Sequence, residues 1–229
     1  MITKGLWDGA RRSGKHARMR FVEVLDNEKD VVIEWKTGNK KAYELLVRHY
    51  MTDAYLIAYG FVGDSEDARD LSQDAFVKAY QARESFDSNR PFYPWLYKIL
   101  KNHCLNFIKR ASRRGGSLYY DDNPARERFA SPTPTPLQHL ERKERKRIVR
   151  AAIELLSEDH REIIVLKNFK SCSYAEISDI LDVPIGTVMS RLYYARKSLK
   201  ELIERIESEG LPESDTRLGE HNPATGEVV

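Results

Sequence analysis

Seven cations and no acidic side chain lie between residues 88 and 120: Arg90, Lys98, Lys101, Lys109, Arg110, Arg113 and Arg114. Four aromatic residues, Phe92, Tyr93, Trp95 and Tyr97, crowd the start of the same stretch. Basic side chains draw a protein to phosphates whatever the base sequence. Aromatic rings offer unpaired bases a stacking surface, at roughly 1–3 kcal/mol per base. The amides of Asn102 and Asn106 can add base-edge hydrogen bonds. Together these suit a strand whose bases have left the duplex. The same pattern also fits an amphipathic helix with a solvated basic face over ordinary core aromatics.

A helix must present these groups. Pro94 suits a first helical position, where its missing N–H costs nothing. At about 100° per residue, Leu96, Ile99, Leu100, His103 and Phe107 then share one face. Lys98, Asn102 and Lys109 fall opposite, with Lys101 and Asn106 beside them, and only Leu105 interrupts the polar side.

Upstream, apolar spacing predicts a helix from about residue 39, stopped by Gly63 and followed by a second helix capped by Asp64 or Ser65. That second helix has an apolar side of Ala68, Leu71, Ala75, Val77 and Ala79, and an acidic ridge of Asp67, Asp70 and Asp74 with Gln73 close by. Such a ridge repels DNA, so its expected partner is protein, although a charged ridge can also be just a solvated face.

Length and composition set the bounds. With 229 residues there is room for one large domain or two small ones, and 41% hydrophobic residues suffice for packed cores. The formal net charge is only +3, so nucleic-acid binding must come from local patches. No apolar run is long enough for a membrane span and no signal-peptide pattern opens the chain, so a cytoplasmic protein is expected. Cys104 and Cys172 form no ligand or redox motif and read as buried thiols. No phosphate-cradling, zinc-ligating or nucleophile motif occurs, so no active site and no cofactor are expected.

Residues 115–136 read as a linker: Pro132, Pro134 and Pro136 alternate with threonine and cannot continue a helix. Fully extended, about 22 residues at roughly 3.1 Å each reach about 70 Å. A second folded unit, residues 137–206, begins with a charged helix whose Ile148, Ala151, Ala152 and Leu155 face inward, followed by a helix capped by Ser157. A helix-turn-helix fits next: a short helix from Tyr174, a turn at Asp182, Val183 and Pro184, and a second helix reaching Leu202. Its inward series is Ile185, Val188, Leu192, Ala195 and Leu199; its outward face presents Thr187, Ser190, Tyr193, Tyr194 and Lys197, with Arg191 and Arg196 at the shoulders. No acid lies between residues 183 and 200, as expected of a helix entering the major groove. A plain helical hairpin with a basic surface is the other reading. Residues 1–30 form a basic extension and 207–229 a disordered tail. The expected fold is all-α: two small helical domains, 31–114 and 137–206, joined by a Pro-rich flexible linker.

The tract DARDLSQDAFVKAYQ, a loop and FYPWLYKILKNHCLNFIKR, followed across the linker by the residues from LSEDHREIIVLKNF to the tract Ile185-Gly186-Thr187-Val188, resembles the extracytoplasmic-function sigma factors of bacterial RNA polymerase. The resemblance implies that Asp67, Asp70, Leu71, Gln73 and Asp74 dock on the clamp helices of core polymerase, with a further contact to its flap. It implies that Arg90, Phe92, Tyr93, Trp95, Lys98, Lys101, Asn102, Asn106, Lys109 and Arg110 engage the −10 element, with Asn102 placed to contact a flipped base. It implies that Thr187, Met189, Ser190, Arg191, Tyr193, Tyr194, Arg196 and Lys197 read the duplex −35 element. Partners would thus be core polymerase, promoter DNA both duplex and melted, and an anti-sigma factor. Many relatives carry basic residues where this chain has Met189 and Tyr194. Its −35 preference is therefore expected to differ, or to lean on shape and phosphate contacts. A free-standing helix-turn-helix regulator would leave the acidic ridge unexplained, and a protein-binding mimic of a sigma factor would leave the basic face without a purpose.

Overall fold

The computed structural model describes residues 28–113 and 136–211, all helix, turn and loop without a strand among them. The expectations for the N-terminal extension before residue 28, for the linker and for the far tail lie outside the described residues. Four helices form the first domain: α1 (Glu28–Lys36), α2 (Lys40–Val62), α3 (Ser65–Gln81) and α4 (Phe92–Arg113). A short 3-10 turn, Arg83–Ser85, follows α3. The second domain comprises α5 (Pro136–Leu155), α6 (Glu158–Asn168), α7 (Tyr174–Leu181) and α8 (Ile185–Glu209).

Local chemistry sets the helix ends. The Asn39 side chain accepts from the N–H groups of Lys41 and Ala42 at the start of α2, and Asp64 does the same for Glu66 and Asp67 at the start of α3. Between them Gly63 closes α2 at φ +81°, the left-handed conformation glycine adopts freely. Ser173 and Glu176 form a reciprocal capping box on α7.

The first core is aromatic. Trp35, fully buried, meets Phe92 edge-on at 5.3 Å and lies within 5.9 Å of Tyr43, Phe86 and Trp95. Such offset and edge contacts exceed simple burial by about 0.5–1.5 kcal/mol per pair. The second core gathers Ile163, Ile164, Leu166, Ile177, Val188, Leu192 and Ala195. The two domains pack on each other, α2 against α6 and α4 against α7. Arg150 bridges them, donating from Nη1 to the carbonyls of Tyr59 (3.2 Å) and Gly60 (2.9 Å). Burial pulls its guanidinium down to about 10, with Glu154 acting in the opposite direction. Lys170 completes the contact, 2.7 Å from Asp53.

Several sequence expectations need correction. Val77 is 54% exposed while its neighbour Phe76 is buried, because the apolar side of α3 centres on Ala68, Leu71, Ala75 and Ala79. Ile185 is 47% exposed: it starts α8 ahead of the packed series Val188, Leu192, Ala195 and Leu199. Leu105, expected on the polar side of α4, is buried. Helix α8 runs to Glu209, beyond Leu202, because Ile206 adds another buried position. In α5, Ala152 is buried as expected and Ile153 joins it, with Leu156 just past the helix end, whereas Ile148, Ala151 and Leu155 are only half-buried.

Candidate nucleic-acid interface

Burial of Leu96, Leu100 and Cys104 fixes the rotation of α4, leaving Lys98, Asn102, Asn106, Lys109 and Arg110 exposed. The acidic ridge lies alongside on α3: Asp70, Gln73 and Asp74 are exposed and Asp67 is half-buried. Burial, then the charges of Asp64, Asp70 and Glu66, raise the Asp67 carboxyl above the usual carboxylate range. Leu71 is buried and so supports the ridge from beneath.

One side chain joins the two surfaces. His103 Nε2 lies 3.2 Å from Asp74 Oδ2, and its Nδ1 lies 2.6 Å from Lys78 Nζ. An ammonium only donates, so the hydrogen-bond network assigns Nδ1 as acceptor and Nε2–H as the donor to Asp74. The sequence suggested a core histidine. It is instead a seam residue, half-buried between an acidic and a basic face.

The aromatic residues divide differently from the expectation. Phe92 is fully buried in the Trp35 cluster, and Trp95 packs at 4.9 Å on Phe86. Phe92 thus presents no ring to a base here, whereas Trp95 is half-buried. Tyr93 is half-buried, its ring 5.1 Å from Tyr50 and 4.6 Å from Lys170 Nζ. The Tyr93 hydroxyl is buried without a hydrogen-bond partner. Lys101 is also engaged, 2.9 Å from Glu162 Oε1 of the second domain. Arg90 stays exposed, 3.8 Å from Asp87. A cleft of about 670 Å³ separates the start of α4, at Pro91, Tyr93 and Pro94, from Lys170, Glu176, Asp179 and Val183.

In the second domain, α7 ends at Asp182 with φ +56°, and Ser178 Oγ donates to the carbonyl of Val183 at 2.6 Å. These contacts hold the turn that feeds α8. Ser190, Tyr193, Tyr194, Arg196 and Lys197 are exposed with Met189, and Thr187 is half-buried. Arg191 is half-buried, 3.9 Å from Asp159, and so is drawn back towards α6. Tyr193 and Tyr194 meet edge-on at 5.3 Å.

Sequence reasoning missed Glu162, Lys170, Asp53, Arg150 and Lys78. For Glu162 a signal existed: Arg161 and Glu162 are charges opening an otherwise apolar run, and both are buried. Such a pair must be bonded to be tolerated. Arg161 Nε donates to the carbonyl of Ile153 at 3.1 Å. Among the described residues no cluster could hold a metal ion.

Comparison with known proteins agrees with this layout. Residues 46–114 match the family "Sigma-70 region 2", and residues 146–199 match "Sigma-70, region 4". The chain is 31% identical over 193 residues to the RNA polymerase sigma-H factor of Pseudomonas aeruginosa, covering 80% of this chain and 98% of that one. It is 36% identical over 174 residues to the ECF RNA polymerase sigma-E factor of Escherichia coli K12, covering 74% of this chain and 90% of that one. Among solved structures, CnrH in complex with the cytosolic domain of CnrY aligns with a TM-score of 0.55 at 26% identity, over 79% of this chain and 99% of CnrH. The sigma factor RpoE of Bartonella quintana, in complex with the anti-sigma factor NepR, aligns with a TM-score of 0.52 at 25% identity, over 72% of this chain and 98% of RpoE. Two sigma regions in order, on two helical domains, place the chain in the extracytoplasmic-function family of RNA polymerase sigma factors.

Proposed function

We propose that this chain is a dissociable specificity subunit that binds core RNA polymerase, directs it to a set of promoters and helps open the −10 element, catalysing no reaction itself. The observation that carries this reading is the presence of both sigma regions in order on one chain. The exposed carboxylates Asp70 and Asp74, with Gln73 and the half-buried Asp67, are the surface for the polymerase clamp helices. Lys98, Asn102, Asn106, Lys109 and Arg110 are the surface for the melted −10 strand. Helix α8 reads the −35 duplex, and the second domain also meets the polymerase flap. Tyr93 and Lys101 become available to DNA when the two domains part.

An anti-sigma factor is the further partner. Two structural relatives, CnrH and RpoE, were solved with CnrY and NepR bound. The chain works in the cytoplasm, where the polymerase is. Among the described residues no helix is long and apolar enough to cross a membrane.

The test is run-off transcription with purified core polymerase on a library of promoter fragments. Specific initiation is expected, falling at least tenfold on changing Asn102→Ala or Asp74→Lys, since about 1.4 kcal/mol is one decade. Full-length, folded protein that binds duplex DNA but never initiates would overturn the reading.

A further inference from the structure

The outward face of α8 carries an unusual chemistry for a groove-reading helix. Over its first turns the exposed side chains are Ile185 (47%), Met189 (54%), Ser190, Tyr193 (66%) and Tyr194 (57%), none of them charged. Gly186 lies among them, and a Cβ added there would meet nothing within 4 Å, so packing does not require glycine. Its bareness leaves room for an incoming surface. The one cation between 185 and 195, Arg191, is turned back to Asp159 at 3.9 Å. Exposed cations begin only at Arg196, followed by Lys197, which pairs with Glu201 at 4.0 Å.

Base edges differ in what they ask for. Guanine takes a bidentate Arg or Lys, adenine an Asn or Gln, and cytosine an Asp or Glu. None of those types is exposed between 185 and 195. Thymine alone offers an apolar group in the major groove, its C5 methyl. Ile185, Met189 and Tyr193 follow one another at four-residue spacing on one helix face, and apolar side chains grouped in this way mark an interaction surface. No acidic residue lies between 183 and 200, and Arg196 and Lys197 stand exposed just beyond the apolar patch, so a polyanion fits this face better than another protein surface.

Resting on the sigma reading above, we propose that α8 selects its −35 element by thymine methyl groups. Ile185, Met189 and Tyr193 form the apolar contact, and Arg196 and Lys197 hold the flanking phosphates.

Holoenzyme formed with the full chain is first used to select duplexes from a pool randomised upstream of the −10 element. The selected duplex is then remade with deoxyuridine in place of each thymine of the upstream element. That change removes the methyl and leaves every hydrogen-bonding edge intact. Thymine-rich steps are expected in the selected pool, and each contacted methyl removed should weaken holoenzyme binding about fourfold. Met189→Ala, an exposed change that leaves the core untouched, should reduce the penalty for deoxyuridine at one position. Met189→Arg should move the preference at that position towards guanine.

Equal binding of thymine and deoxyuridine duplexes, with specific initiation retained, overturns the proposal and leaves the sigma reading standing. So does an unchanged base preference in both Met189 variants, which would make the patch a protein-docking surface. Failure to initiate from any promoter overturns the sigma reading and the proposal together.

Discussion

The Tyr97 hydroxyl of α4 donates to Oε1 of Glu162 on α6 at 2.9 Å, linking the two domains through a carboxylate only 4% exposed. Lys101 Nζ, one helical turn along, meets the same oxygen at 2.9 Å. Burial and the Glu162 charge push the Tyr97 phenol far above its usual range, so it stays a donor. A buried carboxylate is tolerated only while such partners remain. Changing Glu162→Gln removes the ion pair, and a lost charge-assisted bond of this kind costs about 1.5–3 kcal/mol. The expected outcome is a lower urea midpoint and a larger radius of gyration by small-angle scattering. A superimposable scattering profile with unchanged stability would show that this contact does not hold the domains together.

Gly60 makes an independent test of the same joint. It sits inside α2, where Gly→Ala ordinarily stabilises by about 0.8–1 kcal/mol. Here an added Cβ would lie 2.6 Å from Val165 Cγ1 and 3.1 Å from the Phe169 ring, both in the second domain. Overpacking of that kind costs about 1–3 kcal/mol. Gly60→Ala is thus expected to lower the melting temperature when the domains are apposed. A raised melting temperature would mean that they are apart in solution.

Lys98 and Lys101 neighbour each other on α4 but differ in freedom: Lys98 is exposed and Lys101 is held by Glu162. Each phosphate contact to a single strand contributes about 0.7 to the salt slope of binding. Lys98→Ala should lower the slope of the free chain on a −10 single strand by about that amount. Lys101→Ala should leave it unchanged in the free chain and lower it only in the Glu162→Gln background. Equal effects of the two lysines in the free chain would contradict the sequestration of Lys101.

These domain-joint residues mark where sequence reading stopped. Helix positions, the caps at Asp64 and Ser157 and the turn before α8 follow from local chemistry, and the structure shows each; the caps at Asn39 and Ser173 emerge only from the structure. The exposed set Lys98, Asn102, Asn106 and Lys109 was legible because helical periodicity separates it from Leu96 and Leu100. Periodicity does not say what covers a half-polar position. Phe92 and Trp95 read as stacking surfaces because an aromatic ring has the same pattern value in a core as on a surface; only Trp35, far away in sequence, decides that they pack inward. Glu162 with Tyr97, Lys170 with Asp53 and Arg150 with Gly60 are pairs of distant residues from different domains. Within each helix, neither partner has a neighbour that reveals the other.

The thiols offer a chemical report on the same interface. Both cysteines are free and buried. Burial raises the Cys104 thiol from 9.0 to about 12 and the Cys172 thiol to about 11, with Lys170 pulling Cys172 the opposite way. Asp53, a first-domain residue, acts on Cys172, whose charge in turn bears on Tyr93, so Cys172 lies where the domains meet. The thiolate is the reacting form, so both cysteines should alkylate slowly near pH 8. In Glu162→Gln or Gly60→Ala protein, Cys172 should react faster and Cys104, inside the first domain's own core, should not. The same raised values fix the sign of the pH response. Above 9.0 the unfolded thiols lose their protons while the folded ones keep them, so stability falls as pH rises towards 11. The urea midpoint should therefore drop between pH 8 and pH 10.5, and drop less in Cys172→Ala protein. A midpoint flat across that interval would contradict the burial-raised thiols, and equal alkylation of both thiols in the opened variants would place Cys172 away from the joint.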